Sequence, residues 1–189
     1  GPTDRGFDYF YGLTSPSGPP HLYMVNDMAE KQPNTRFEES GGGLYKIKGG
    51  IGHSDWSADG MQPHLADKML EYLDENKDSD KPFFLYMALT APHIPLFPSK
   101  EFKGKSKIGD YGDLVMMIDD IVGRVNRKLK EIGKYDNTIV MFAADNGCAG
   151  YINMDRINRK GHYPSYIYRG YKSHGWEGGH RIPFILSWG

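Results

Sequence analysis

Three stretches of the 189-residue sequence carry side chains that could do chemistry together. In "FAADNG", Asp145 and Asn146 stand side by side directly after an apolar run. Both offer oxygen donors of the kind a hard cation prefers. Calcium gathers about 6–8 such oxygens at roughly 2.3–2.6 Å, so two adjacent residues supply only part of a shell. Zinc is disfavoured, because no Cys/His cluster with its spacing occurs. Asn-Gly after a hydrophobic run is also a strong turn signal, and the tripeptide by itself does not decide between turn and ligand. In "RGYKSHGWEGGHR", Lys172, His174 and Arg181 gather around Gly178-Gly179. Such cationic groups suit an oxyanion, phosphate or sulfate. The plainer account of that stretch is a charged loop tied down by a Glu177–Arg181 ion pair. The third stretch, "TAPHIP", places His93 just beyond another apolar run.

The elements that must position these groups follow from periodicity. Leu65, Met69, Leu70 and Leu73 recur at helical spacing and predict a helix over 59–76, with Pro63 in its first turn. A second helix is expected over 110–132, where Leu114, Val115, Ile118, Val122, Val125 and Leu129 form one stripe; Gly133 can end it. "PFFLYMAL" is a continuous apolar run that reads as a buried parallel strand over 83–89, and 138–144 and 181–188 read as two more strands. "APHIPLFP" must be an extended loop, because each proline restricts the residue before it. Residues 1–60 read as loop-rich. The alternation is α/β: a mostly parallel sheet flanked by helices, with right-handed crossovers. Open sheets of that kind bind ligands at the carboxyl ends of their strands. Parallel strands would bring His93 and Asp145-Asn146 to one edge, which weakens the turn reading.

Composition narrows the class. Apolar residues make 39% of the chain, or about 45% when Gly is counted in place of Tyr, ordinary for one globular domain. The 23 Lys+Arg and 24 Asp+Glu leave a formal charge of −1, which gives no reason to expect a nucleic-acid partner. No run approaches the ~18 apolar residues of a membrane span. Cys148 is the single cysteine, so no internal disulfide is possible and neither redox compartment is implied. Its small neighbours Gly147 and Ala149 suit a buried packing residue better than a nucleophile.

"APHIP", "GDLVMMIDDIVGRVNRKLKEIG", "DNTIVMFAADNG" and "RGYKSHGWEGGHRIPFILSW" occur in the order and spacing of the sulfatases, hydrolases of the alkaline-phosphatase superfamily. "RGFDYFYGL" also resembles a segment from early in their catalytic domain. The match covers most of the chain and is loosest over 14–58. The resemblance implies that Asp145 and Asn146 match the acid–amide pair binding the catalytic divalent cation, usually calcium. It implies that Lys172 contacts the sulfate and the nucleophile, and that His93 contacts the sulfate or protonates the leaving group. Glu177, Gly178, Gly179 and Arg181 look architectural. His162, in "GHYPS", lies where relatives often place a substrate-facing residue. A secreted, periplasmic or lysosomal location goes with the family.

The family's nucleophile is a formylglycine made within a C/S-x-P-S-R motif, preceded by two metal-binding aspartates, and a "GKWH"-like segment adds another Lys and His. None of these motifs occurs in the 189 residues, and Cys148 sits in "GCAGY" instead. The expectation is therefore a partial catalytic domain over 1–189, without its nucleophile-bearing N-terminal part and its C-terminal part. Such a piece is expected to be inactive by itself. In the complete enzyme the resemblance implies in-line attack on sulfur by the formylglycine hydrate, charge stabilisation by calcium and cationic side chains, and protonation of the departing alcohol by a histidine. The substrate is a sulfate ester; the aromatics and polar groups of 14–58 and 150–168 would suit a sulfated sugar. Two alternatives stay open: a phosphoesterase or phosphonate hydrolase of the same superfamily, and a non-catalytic module that binds sulfated glycans.

Overall fold

A computed structural model describes residues 1–15 and 18–189. The first sixty residues contain more regular structure than their loop-rich composition suggests. Short strands β1 (Tyr11–Gly12), β2 (Met24–Val25) and β3 (Met28–Ala29) form an antiparallel meander. Strands β4 (Thr35–Phe37) and β5 (Gly50–Gly52) pair antiparallel beside it. Each strand has only two or three residues, too few for alternation to register. Helix α1 (Met61–Glu75) follows as expected, with Pro63 in its first turn. Its N-terminal half joins Tyr23, Trp56, Ala58 and Met61 in a buried cluster that closes over the meander.

Helix α2 (Asp110–Glu131) is the longest element and ends at Gly133, whose φ of +68° only glycine adopts cheaply. Its stripe does what amphipathic spacing demands. Leu114, Met117 and Ile121 pack with Ala66 of α1 and with Leu96 and Phe102 of the preceding loop. Asp113 is fully buried in the first turn of α2, where its carboxylate accepts from the N–H groups of Gly104 and Ser106 at 2.8 and 2.6 Å. Charge-assisted bonds at a helix N-terminus offset the desolvation of that carboxylate. No helix among the described residues is long and apolar enough to cross a membrane.

Strand β6 (Ile139–Ala143), the short helices α3 (Met154–Arg159) and α4 (Glu177–His180), and strand β7 (Phe184–Trp188) complete the chain. Two expectations about the sheet are corrected. First, β6 and β7 pair antiparallel, Ile139 opposite Trp188 and Ala143 opposite Phe184. The intervening residues turn the chain back on itself, so the two strands form a wide hairpin rather than parallel neighbours. Second, 83–89 has no ladder partner among the described residues. It is extended, and Phe83, Leu85, Met87 and Leu89 turn inward while Phe84 and Tyr86 are 72% and 71% exposed. Met87 and Leu89 lie against the α1–α2 core. The whole segment lines a cavity of about 1390 Å³.

A titratable contact joins the meander to α1. Tyr11 Oη lies 2.7 Å from Glu30 and 2.6 Å from His64 Nε2. A carboxylate only accepts, so Tyr11 donates to Glu30 and the His64 Nε2–H donates to Tyr11. Burial holds His64 below its ordinary value near 6.5, against the pull of Glu30, Asp67 and Glu71 and with help from Lys68. The unfolded chain therefore takes up this proton at higher pH than the folded chain does. The contribution is intact above pH 6.5 and declines as pH falls from there toward the folded value. Melting temperatures of the whole protein between pH 7.5 and 5.5 are expected to fall less in His64→Gln, which keeps an N–H donor toward Tyr11 and cannot titrate. Equal slopes for variant and wild type would remove His64 as the cause.

Candidate functional site

Asp145 and Asn146 follow the last residues of β6, where the chain leaves the ladder. Asp145 is exposed and Asn146 half-buried, and neither side chain has a hydrogen-bond or ion-pair partner among the described residues. The turn they open is held by backbone bonds to a distant stretch. Gly147 N–H donates to Gly179 O, Lys172 N–H to Cys148 O, and Gly178 N–H to Arg169 O, each at 2.9 Å. The first two contacts carry the β6–β7 hairpin onward past its last ladder pair, and they set the Lys172 backbone against Cys148, in the turn that Asp145 and Asn146 open.

Glycine is required here for space. A Cβ on Gly147 would lie 1.9 Å from the Gly178 carbonyl oxygen, and one on Gly178 would lie 2.2 Å from that of Gly170. Gly178 and Gly179 sit in the α4 turn without positive φ, so close approach rather than unusual backbone explains them. The Tyr171 ring covers Gly150 in the same way, with a Cβ there only 2.4 Å from the ring. The Glu177–Arg181 pair does form, at 2.6 Å, with His180 at 3.4 Å from the same carboxylate. Arg181 and His180 hold Glu177 below the usual carboxylate range. Lys172 is half-buried and has no carboxylate partner among the described residues, which leaves its charge available to a ligand.

His93 reaches the region from the loop after 83–89. Its Nδ1 lies 2.7 Å from the Ile94 carbonyl oxygen, which can only accept. Nδ1 therefore carries a proton and Nε2 is the free nitrogen. Gln62, buried at the start of α1, anchors the turn leading to His93. With its amide oxygen turned inward, it accepts from the Thr90 hydroxyl and from the N–H of Ala91 at 3.1 Å. His93 and Asp145 both border the 1390 Å³ cavity.

Of the residues singled out from sequence, His93 and Asp145 thus share a cavity wall; Asn146 and Lys172 lie outside its lining, Lys172 bonded through its backbone to Cys148 in the turn that follows Asn146. His162 is not brought to them. It is exposed after α3, its N–H on the Ile157 carbonyl at 3.4 Å, and it does not border the cavity. Cys148 is half-buried, with Sγ 3.7 Å from Tyr111 Oη, and burial raises its thiol. That environment opposes a thiolate nucleophile. Two residues at the site escaped notice in the sequence. Gln62 had a signal, a polar residue on the apolar side of α1. Tyr151, whose ring meets that of His93 edge to face at 6.3 Å, had none.

The donor set can be tested for a hard cation. A carboxylate and a carboxamide, adjacent and without protein partners, fit calcium's oxygen preference, but they provide about three of its 6–8 ligands. No group of three or more His, Cys, Asp or Glu suited to a metal occurs among the described residues.

An α/β fold with an acid–amide pair after β6 and a lysine whose backbone is clasped into the same turn carries the residue types of an oxyanion-processing protein. Comparison with known proteins makes the class specific. The Sulfatase family matches residues 1–189, and the chain belongs to it. Over 136 residues it is 35% identical to an N-acetylgalactosamine-6-O-sulfatase of Bacteroides thetaiotaomicron, covering 70% of this chain and 26% of that protein. An arylsulfatase of Hemicentrotus pulcherrimus is 37% identical over 129 residues, 68% of this chain and 22% of its own. The uncharacterized sulfatase YdeN of Escherichia coli is 30% identical over 99% of this chain and 29% of its own length. A solved structure described with the metabolism of glycosaminoglycans by Bacteroides thetaiotaomicron superposes with TM-score 0.82 at 28% identity, over 100% of this chain and 46% of that one. The PsFucS1 sulfatase from Pseudoalteromonas sp. superposes with TM-score 0.73 at 27% identity, over 99% and 39%. The α/β architecture is thus that of sulfatases, and the chain spans about a quarter of the length of the curated relatives.

Proposed function

We propose that the protein to which this chain belongs hydrolyses sulfate esters of carbohydrates, and that residues 1–189 are part of its catalytic domain. The observation that supports this reading is the clasp that holds Lys172, without a carboxylate partner among the described residues, against Cys148 in the turn opened by Asp145 and Asn146. An ammonium beside a sulfate stabilises its negative charge in both ground and transition states. Asp145 and Asn146 would hold a divalent cation, calcium by donor chemistry, which when bound withdraws charge from sulfate oxygens. His93 keeps its Nδ1 proton on Ile94 O and can carry a second proton on Nε2, to pass to a departing alcohol. The nucleophile in this reading is a formylglycine, for which these residues hold no candidate. A carbohydrate substrate is supported by relatives whose names specify N-acetylgalactosamine 6-sulfate.

The test is hydrolysis by the whole protein of matched sulfate and phosphate monoesters of one monosaccharide, with calcium and after its removal by a chelator. Sulfate release at least a hundredfold above phosphate release, lost on chelation and restored by calcium, is expected. Preference for the phosphate ester would establish the phosphoesterase reading instead. Tight binding of the sulfated sugar without turnover would establish a binding module.

A further inference from the structure

Tyr151 has a position that packing does not explain. It lies in a single 3-10 turn, Gly150–Ile152, between the Asp145-Asn146 turn and α3. Both neighbours are immobilised: Ile152 is 4% exposed, and Gly150 lies beneath the Tyr171 ring. The side chain between them belongs to neither hydrophobic cluster and stays 43% exposed. An exposed tyrosine is unremarkable when its neighbours leave it free. This one is confined. Its ring meets the His93 ring edge to face, at 77° with the centroids 6.3 Å apart. Tyr151 therefore links the turn after β6 to the loop of His93, outside the lining of the large cavity and with 43% of its surface open.

A rigid tyrosine offers a large flat contact at little cost in side-chain entropy, and its hydroxyl end tolerates water. Such a surface complements the flat C–H face of a pyranose. It offers little to the sulfate itself, which has no apolar face.

We propose that Tyr151 is a specificity-determining residue. Its ring forms the wall against which the pyranose ring of a sulfated sugar lies, with the ester oxygen directed at His93. The proposal rests on the sulfate-ester reading above, and it adds the contact that selects the alcohol.

The test uses the whole protein with Tyr151→Ala and Tyr151→Phe. The probes are monosulfated N-acetylgalactosamine, N-acetylglucosamine and galactose, with inorganic sulfate as a ligand that lacks the sugar. For the best monosaccharide, Tyr151→Ala is expected to raise KM about tenfold, the size of one aromatic contact. The inhibition constant of inorganic sulfate should stay within about twofold. Tyr151→Phe keeps the ring and should stay within about twofold on both. Unchanged KM in Tyr151→Ala would overturn the proposal. So would a parallel loss of inorganic sulfate affinity, which would make Tyr151 a support for His93, or a Phe variant as impaired as the Ala variant. If the wild type hydrolyses none of the sugars, the sulfatase reading fails separately, and calorimetric binding of the same sugars decides on Tyr151. About tenfold weaker binding in Tyr151→Ala upholds the wall. Equal binding, or none by the wild type, overturns it.

Discussion

Asp145→Ala in the whole protein is expected to weaken calcium binding by more than about a hundredfold, and Asn146→Ala by about tenfold. The ordering follows from charge. Asp145 contributes an anionic carboxylate able to bind through both oxygens, whereas Asn146 contributes one neutral oxygen. Neither side chain has a hydrogen-bond or ion-pair partner among the described residues, so their loss removes no such bond. Stability without metal should therefore change by no more than about 0.5 kcal/mol, as for ordinary surface substitutions. This separates a ligand effect from unfolding. Calcium titration by calorimetry reads the affinity directly, and melting in chelator reads the fold. Wild-type affinity in Asp145→Ala would reject the metal assignment, and a large loss of metal-free stability would make the residue structural.

Lys172 and His93 should fail in different ways. In the proposed reading the Lys172 ammonium would face the sulfate's charge before and during reaction, so Lys172→Ala should lower kcat/KM by about 10²–10³ for every sulfate ester. Lys172→Arg should recover little, because a planar fork replaces a point charge in a backbone-clasped position. His93 in the same reading would act on the alcohol. An alkoxide needs a proton as it leaves and a phenolate barely does, so His93→Ala should cost about 10²–10⁴ on alkyl and sugar sulfates and far less on aryl sulfates. Rates of both variants across leaving groups of graded pKa test the distinction. A steeper dependence for His93→Ala alone supports the assignment, and parallel slopes would reduce His93 to a sulfate contact.

Long periodic segments were legible in the sequence. The stripe of Leu114, Ile118 and Leu129 specifies α2 because 3.6-residue spacing has no other economical use. The apolar run 139–143 specifies a strand for similar reasons. Pairing was not legible. Parallel and antiparallel ladders ask for the same residues, and what turns β7 back on β6 is the clasp between Gly147 and Gly179, a contact between positions 32 apart. The segment 83–89 has strand composition, yet a strand is defined by its partner, and composition is silent about partners. At the candidate site, Asp145, Asn146, Lys172 and His93 were singled out through residue chemistry and family resemblance. Tyr151 was hidden because a tyrosine becomes informative only when its neighbours pin it, and those neighbours are spread over 93, 150 and 171.

The clasp has a consequence for variation. The three backbone bonds between 147–148 or 169 and 172–179 cinch the chain on either side of 151–168, so that stretch leaves and re-enters through one fixed neck. Lengthening a loop whose ends are already together costs little, rising only with the logarithm of its length. Residues such as Tyr163, Tyr166 and Ile167, all exposed, can be exchanged, added or deleted beyond the neck without shifting Lys172 against Asp145. The fold in this way separates a part that can diversify from a part that must keep still, and a loop transplanted between relatives at the neck should carry its preferences with it.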